Sequence, residues 1–398
     1  MMRLMLLVAA LLAVAPAQVT FMRTYGDTAD EEGLSVAQTE DGGYVVAGHT
    51  GSYGAGRDDV WVIRIESRGD TLWTMAWGGA DHDRARWITQ TEDGGYIVAG
   101  ETWSYGAGSY DVWLIKTDRT GGISWTQTYG GTSEDRGYSA SPTSDGGYIV
   151  VGSTWSYGVG NMDAWLVKTN SLGDTLWTRS FGGPAWDWCH SVVQTRNGGY
   201  ALAGCTGAFG AGAPDAWLIR TDAAGDTLWT RTYGGMDWDE AATVVQTQDG
   251  GFAIICNTES LDDETWLIRT DSLGDTLWTR TYGSPSDDFA RSLLQSEDGC
   301  YIITGFTQFG PGGANAWLVK IDPAGDTVWT RTFGGSSWDW GHSAAQTQDG
   351  GYVVTGFTHS YGAGGSDVWL IKTDSLGLVG IAEPEPPGPV TRVEATVF

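Results

Sequence analysis

One motif recurs along this chain at a nearly fixed spacing, and it restricts the possible folds more than anything else in the sequence. Asp-Gly-Gly-Tyr or a close variant starts at Asp41, Asp93, Asp145, Asn197, Asp249, Asp298 and Asp349, in steps of 52, 52, 52, 52, 49 and 51 residues. A second marker, Trp-Leu-Ile-Lys or a variant, keeps the same rhythm at Trp61, Trp113, Trp165, Trp217, Trp266, Trp317 and Trp369. Seven copies of one unit are therefore present, and a unit of this length is one supersecondary element stacked on its neighbours.

Each unit reads as four short strands, a to d. In the fourth these are predicted at Ser191–Thr195, Tyr200–Thr206, Ala216–Asp222 and Thr227–Tyr233. Asn197-Gly198 marks an a–b hairpin, because both residues tolerate positive φ. Asp222-Ala-Ala-Gly225 marks a c–d turn. Strand c is apolar on both faces, as a sheet sandwiched between two others must be, and no helical period competes with this reading in the mature chain.

Four strands per unit and seven units predict an all-β fold, a seven-bladed β-propeller with four-stranded blades. The chain ends support closure of the ring. Unit seven lacks its Leu-Trp strand after Gly377, while Val19-Thr-Phe-Met-Arg-Thr-Tyr-Gly26 ahead of unit one matches the missing piece. The N-terminal strand is thus expected to pair into the last blade.

The repeat resembles a widespread group of exported prokaryotic propeller proteins. Their unit reads roughly Thr-x-Asp-Gly-Gly-Tyr, then Asp-x-Trp-Leu-Ile-Lys, then Leu-Trp. The resemblance covers about residues 19–377 and implies export and a propeller, but no activity. Residues 1–17 read as a signal peptide, with Arg3, an apolar run from Leu4 to Val14, and Ala15-Pro16-Ala17 for cleavage. No later apolar run reaches the roughly 20 residues a membrane helix needs. No cysteine precedes Cys189 to carry a lipid, so a secreted or cell-surface location is expected. Residues 18–377 form the propeller, and 378–398 read as a Pro-rich linker and short tail.

Composition narrows the partners. The formal net charge is −27, which argues against nucleic acid, since phosphate binding needs concentrated Lys and Arg. The four cysteines are too few for a disulfide framework at this size. Counting out from the Asn197-Gly198 turn sets Cys189 beside Cys205, so a disulfide there is expected to be possible; one between Cys256 and Cys300 is not.

In an antiparallel meander the d–a and b–c connections share one end of the ring, and variation concentrates there. Six residues after the aromatic of each Tyr-Gly-Gly stretch stands an acid: Glu31, Asp83, Asp135, Asp187, Asp239, Asp288 and Asp339. Sevenfold recurrence points to loop closure through backbone N–H groups. The positions around the acid vary, which suits a binding face. Trp188, His190, Trp340, His342, Arg86, Tyr138 and Arg291, with Asp187 and Asp339, are the candidate ligand residues. Tryptophan beside carboxylate suits carbohydrate, because the ring stacks on sugar C–H faces while the acid accepts hydroxyl hydrogen bonds.

Unit five replaces the usual aromatic-Gly-x-Gly loop with Glu259, Asp262, Asp263 and Glu264, a weak Ca²⁺ candidate with no recognised loop spacing. Gly-x-Ser-x-Gly, His-Glu-x-x-His and Cys-x-x-Cys are all absent. No cofactor is implied. The sequence favours a non-enzymatic binding propeller for carbohydrate or another surface protein. The alternatives are a polysaccharide hydrolase or lyase on the same face, and a structural surface protein.

Overall fold

The computed structural model describes residues 18–260, 264–284, 288–308, 310, 312–380 and a strand at Val393–Val397. Residues 1–17, read above as a signal peptide, and most of the expected Pro-rich linker lie outside these residues. Seven antiparallel sheets form the seven blades of a propeller, and no helix occurs among the described residues. In blade four, strands a to d are Asp187–Gln194, Tyr200–Thr206, Asp215–Thr221 and Thr227–Tyr233. Strand a starts four residues earlier than the repeat suggests, for a reason that matters to the site below.

The two repeat markers meet. In blade one the Asp-Gly turn is closed by Thr39 N–H donating to Gly43 O at 2.9 Å, with Gly42 at φ +83°. The turn aspartate then takes a cation from the end of strand c. Lys116 reaches Asp93 at 2.8 Å, Lys168 reaches Asp145 at 2.9 Å and Lys372 reaches Asp349 at 3.0 Å. Burial opposes the Asp93 and Asp145 carboxylates, but the lysines and the turn hydrogen bonds outweigh it and hold both at about 2. Blade four is the exception: its turn has Asn197, and Arg220 donates to an amide oxygen there.

The core lies between blades. Val45, Ala47, Val60 and Val62 of blade one pack with Ile88, Tyr96, Val98 and Trp113 of blade two, and equivalent clusters fill the other junctions. Strands b and c are therefore buried on both faces, as their unbroken apolar runs require. Polar bridges repeat at the same junctions. The Gln90 carbonyl accepts from Glu40 N–H at 2.8 Å, and the Tyr129 hydroxyl donates to Gly173 O at 2.6 Å.

Phe21–Tyr25 forms strand d of the last blade, paired antiparallel with Asp367–Thr373 in the register Phe21 to Lys372 and Tyr25 to Val368. The ring closes as the sequence predicts. Val393–Val397 adds a parallel fifth strand outside Thr71–Gly78 of blade one, so part of the expected tail continues a sheet.

Candidate functional site

The seven repeat acids open strand a rather than sitting in a loop, and each is at most 1% exposed. Asp187 accepts Gly183 N–H at 2.9 Å, Ala208 N–H at 3.4 Å and the Thr206 hydroxyl. Asp339 accepts Gly335 N–H at 2.8 Å, the Ser360 hydroxyl at 2.6 Å and the Thr358 hydroxyl. These two carboxylates hold the turns at the end of the blade. That corrects their assignment as ligand residues, since neither offers an oxygen to a sugar hydroxyl.

One residue beyond the small side chain in every strand a, the ladder skips. Leu34, Arg86, Tyr138, His190, Ala242, Arg291 and His342 are each the extra residue of a β-bulge. A bulge leaves its residue unpaired and re-aims the side chain. All seven line a central channel of ≈ 1290 Å³ enclosed by the inner strands. The variable column is therefore the channel wall. In six blades the kinked strand packs against a glycine of strand b, where a Cβ on Gly152 would overlap the Arg136 carbonyl and one on Gly356 the Trp340 carbonyl; blade five makes the same bulge opposite Cys256.

Around the channel the candidates fall into separate groups. Arg86 donates to Glu101 at 2.8 Å, and Arg136 approaches the same buried carboxylate at 3.6 Å. Tyr138 lies 3.3 Å from the Ser153 hydroxyl. His190 contacts Glu240 at 2.6 Å, and Trp188 donates to the same oxygen at 2.7 Å. Burial opposes the Glu240 charge, but His190, Trp188 and Arg291 outweigh it and hold its pKa at about 2. Trp188 is 8% exposed and packs on Trp238, so its ring is not offered to a ligand, another correction.

On the other side Trp340 stacks on Phe306 at 4.1 Å between centroids, Arg291 lies 5.7 Å over its ring, and His342 packs on Phe357. Burial, with Arg291 and Arg86 nearby, pushes the His342 pKa well below the usual range and keeps it neutral. Glu101, Phe306 and Phe357 escaped the sequence reading. A signal for them existed: they belong to the penultimate position of strand b (His49, Glu101, Ser153, Cys205, Asn257, Phe306, Phe357), which faces the residue after each acid and varies as that residue does.

Trp103, Trp155 and Trp186 stand outside the channel and Trp338 lines it, all four 42% to 57% exposed. Trp155 and Trp186 meet edge to face at 6.4 Å, and Trp338 stacks beside Trp340 at 6.3 Å. Among the described residues these are the only exposed tryptophans, and all four belong to d–a or b–c connections.

No protein-family model matches this sequence, and no curated protein matches it. Solved structures do. Puromycin hydrolase aligns with a TM-score of 0.52 at 14% identity, over 89% of this chain and 55% of that one. Sqt1 from Chaetomium thermophilum aligns with a TM-score of 0.50 at 10% identity, over 84% and 83% of the two chains. A protein of unknown function from Dyadobacter fermentans gives 0.48 at 12% identity, over 89% and 98%. The likeness is one of fold.

The remaining expectations concern cysteines and metal. Cys189 and Cys205 are free thiols. The bulge at His190 pairs Cys189 with Gly204 rather than Thr206, so Cys205 is one residue out of register and faces the opposite side of the sheet. Cys189 packs toward blade three, while the Cys205 thiol contacts Asp239 O in blade five. Of the acidic loop in unit five, Asp262 and Asp263 lie outside the described residues. Among the described residues, Glu259 and Glu264 included, no group of three or more His, Cys, Asp or Glu is placed to hold a metal ion.

Proposed function

We propose that this chain is an exported, non-enzymatic binding propeller that holds saccharide on the face formed by its d–a and b–c connections. The observation that carries this reading is the gathering of all four exposed tryptophans on that one face. Leaving an indole half in water forgoes much of its burial energy, and clustered exposed aromatics mark binding surfaces. The channel between them adds varied polar side chains, as a recognition site needs. The burial of the seven repeat acids removes the carboxylates that a hydrolase on this face would most simply use. The opposite end, by contrast, repeats the same Asp-Gly turns and ion pairs.

The test is calorimetric titration of the mature protein with neutral and acidic oligosaccharides. Trp338→Ala and Trp186→Ala should each weaken binding about fivefold, the equivalent of one aromatic contact of ~1 kcal/mol, with thermal midpoints unchanged. Absence of binding to any saccharide, or equal binding by both variants, overturns the proposal.

A further inference from the structure

The channel mouth holds a guanidinium that makes no direct ion pair among the described residues. Arg291, the bulge residue of blade six, is exposed to the channel yet makes no ion pair with any described carboxylate. Its nearest acid influences are Glu240, already engaged by His190 and Trp188, and Glu32. Arg86 projects into the same channel from blade two, and each guanidinium disfavours protonation of His342 between them. Arg86 is already paired with buried Glu101 at 2.8 Å, which leaves Arg291 as the channel guanidinium without a direct carboxylate partner among the described residues.

Three further atoms are left unmatched. Arg86 Nε, Trp340 Nε1 and His342 Nε2 are buried without a hydrogen-bond partner, and all three residues line the channel. A buried polar group lacking a partner costs about 1–3 kcal/mol, so several in one cavity call for an occupant. Two of these atoms can only donate, and the neutral His342 ring can place its proton on Nε2. Donors and a spare guanidinium together describe a receptor for an oxyanion.

From these four side chains we infer that Arg291, Arg86, Trp340 and His342 form a subsite for the single anionic group of an acidic saccharide, a carboxylate or a sulfate ester. The inference rests on the saccharide reading above and names the ligand class. Guanidinium N–H groups bond both oxyanions strongly, and the aromatic rings at the rim take the sugar faces. The protein's net charge of −27 selects against polyanions, so one acidic residue among neutral sugars fits better than a uniformly charged chain.

The experiment titrates wild type, Arg291→Gln and the control Arg231→Gln with four probes: a neutral oligosaccharide, its uronate-containing analogue, its sulfate-ester analogue and inorganic sulfate. Arg231 lies on the outer strand of blade four, paired with Asp275. The acidic analogue should bind at least tenfold tighter than the neutral one. Arg291→Gln should remove that preference, so that within this variant acidic and neutral analogues bind alike, and Arg231→Gln should keep the wild-type preference. The preferred acidic analogue identifies the group. Equal affinity for neutral and acidic sugars, or an undiminished preference in Arg291→Gln, overturns the subsite while leaving the saccharide reading standing. Sulfate binding with no saccharide binding overturns both.

Discussion

Asp163 and Asp187 face each other across the junction of blades three and four, their carboxylates converging on the bare side of Gly182. The arrangement recurs as Asp59 with Asp83, Asp111 with Asp135, Asp215 with Asp239, and Asp367 with Glu31, each beside the glycine that ends strand d. A Cβ on any of these glycines would collide with the pair, which explains the Tyr-Gly of the repeat. Burial, then the neighbouring Asp187 charge, raises Asp163 to about 6. Burial, then Glu31 and Asp27, raises Asp367 to about 7.

These shifts set a pH dependence. Between the ordinary aspartate value near ~3.9 and the raised folded values, the folded protein holds protons that the unfolded chain has released. That contribution is fully present below ~4 and is lost as pH rises through 6 and 7. Between pH 5 and pH 8 these two aspartates therefore withdraw stability on the order of 2 kcal/mol each, while His49 and His342, whose pKa values burial lowers, act in the opposite sense. Asp163→Asn should flatten part of the slope, since Asn315 already stands opposite Asp339 at the corresponding junction. Calorimetry at pH 5 and pH 8 checks this: Asp163→Asn should gain on wild type as pH rises, and a difference between the two that does not change with pH would contradict it.

Blade four offers a repair. Arg220 is 4% exposed, its charge disfavoured by burial, and its turn partner is the uncharged Asn197. Six other blades place aspartate there, and Asn197→Asp restores the pair. Hydrogen bonds to ionised groups exceed neutral ones by about 1 kcal/mol. The urea midpoint of Asn197→Asp should rise accordingly. An unchanged or lower midpoint would show that the extra charge costs more than the pair returns.

The repeat revealed blade number, the b, c and d strands and the closing strand because hairpin turns and apolar runs are local properties. The bulge is not local. It adds one residue and reverses the inside–outside alternation, so Asp187, Trp188 and Cys189 read as loop although they pair with Thr206, Cys205 and Gly204. That single residue misplaced Asp187 as a ligand group and misaligned the two cysteines. Tryptophan exposure was equally hidden. Trp186 in the d–a connection and Trp188 in strand a are two residues apart, yet only the neighbouring Trp238 and Glu240 decide that Trp188 is covered.

The thiols give a direct check of that register. Cys189, Cys205 and Cys256 are buried, and desolvation raises all three thiol pKa values, suppressing the reactive thiolate. Only Cys300, half-buried at the Asp298 turn, retains access. Maleimide should label one thiol of four in the native protein and all four in denaturant. A disulfide-linked peptide joining Cys189 to Cys205 in a non-reducing digest would contradict the bulged pairing.

Ring closure makes Phe21 a bridge between the first and last blades. This residue is 4% exposed, sits edge-on to Tyr44 of blade one at 6.1 Å, and belongs to a strand held in blade seven by pairing with Asp367–Thr373. Tyr25 in the same strand donates to Gly69 O of blade one at 2.7 Å. Phe21→Ala should cost about 3–4 kcal/mol, the usual loss for a buried ring. Removing residues 18–25 altogether exposes a strand edge that an equivalent strand of a second chain can occupy. Size-exclusion chromatography should then show dimers or larger species where the intact chain elutes as a smaller one. A deletion variant with unchanged elution and thermal midpoint would mean that the last blade does not depend on the N-terminal strand.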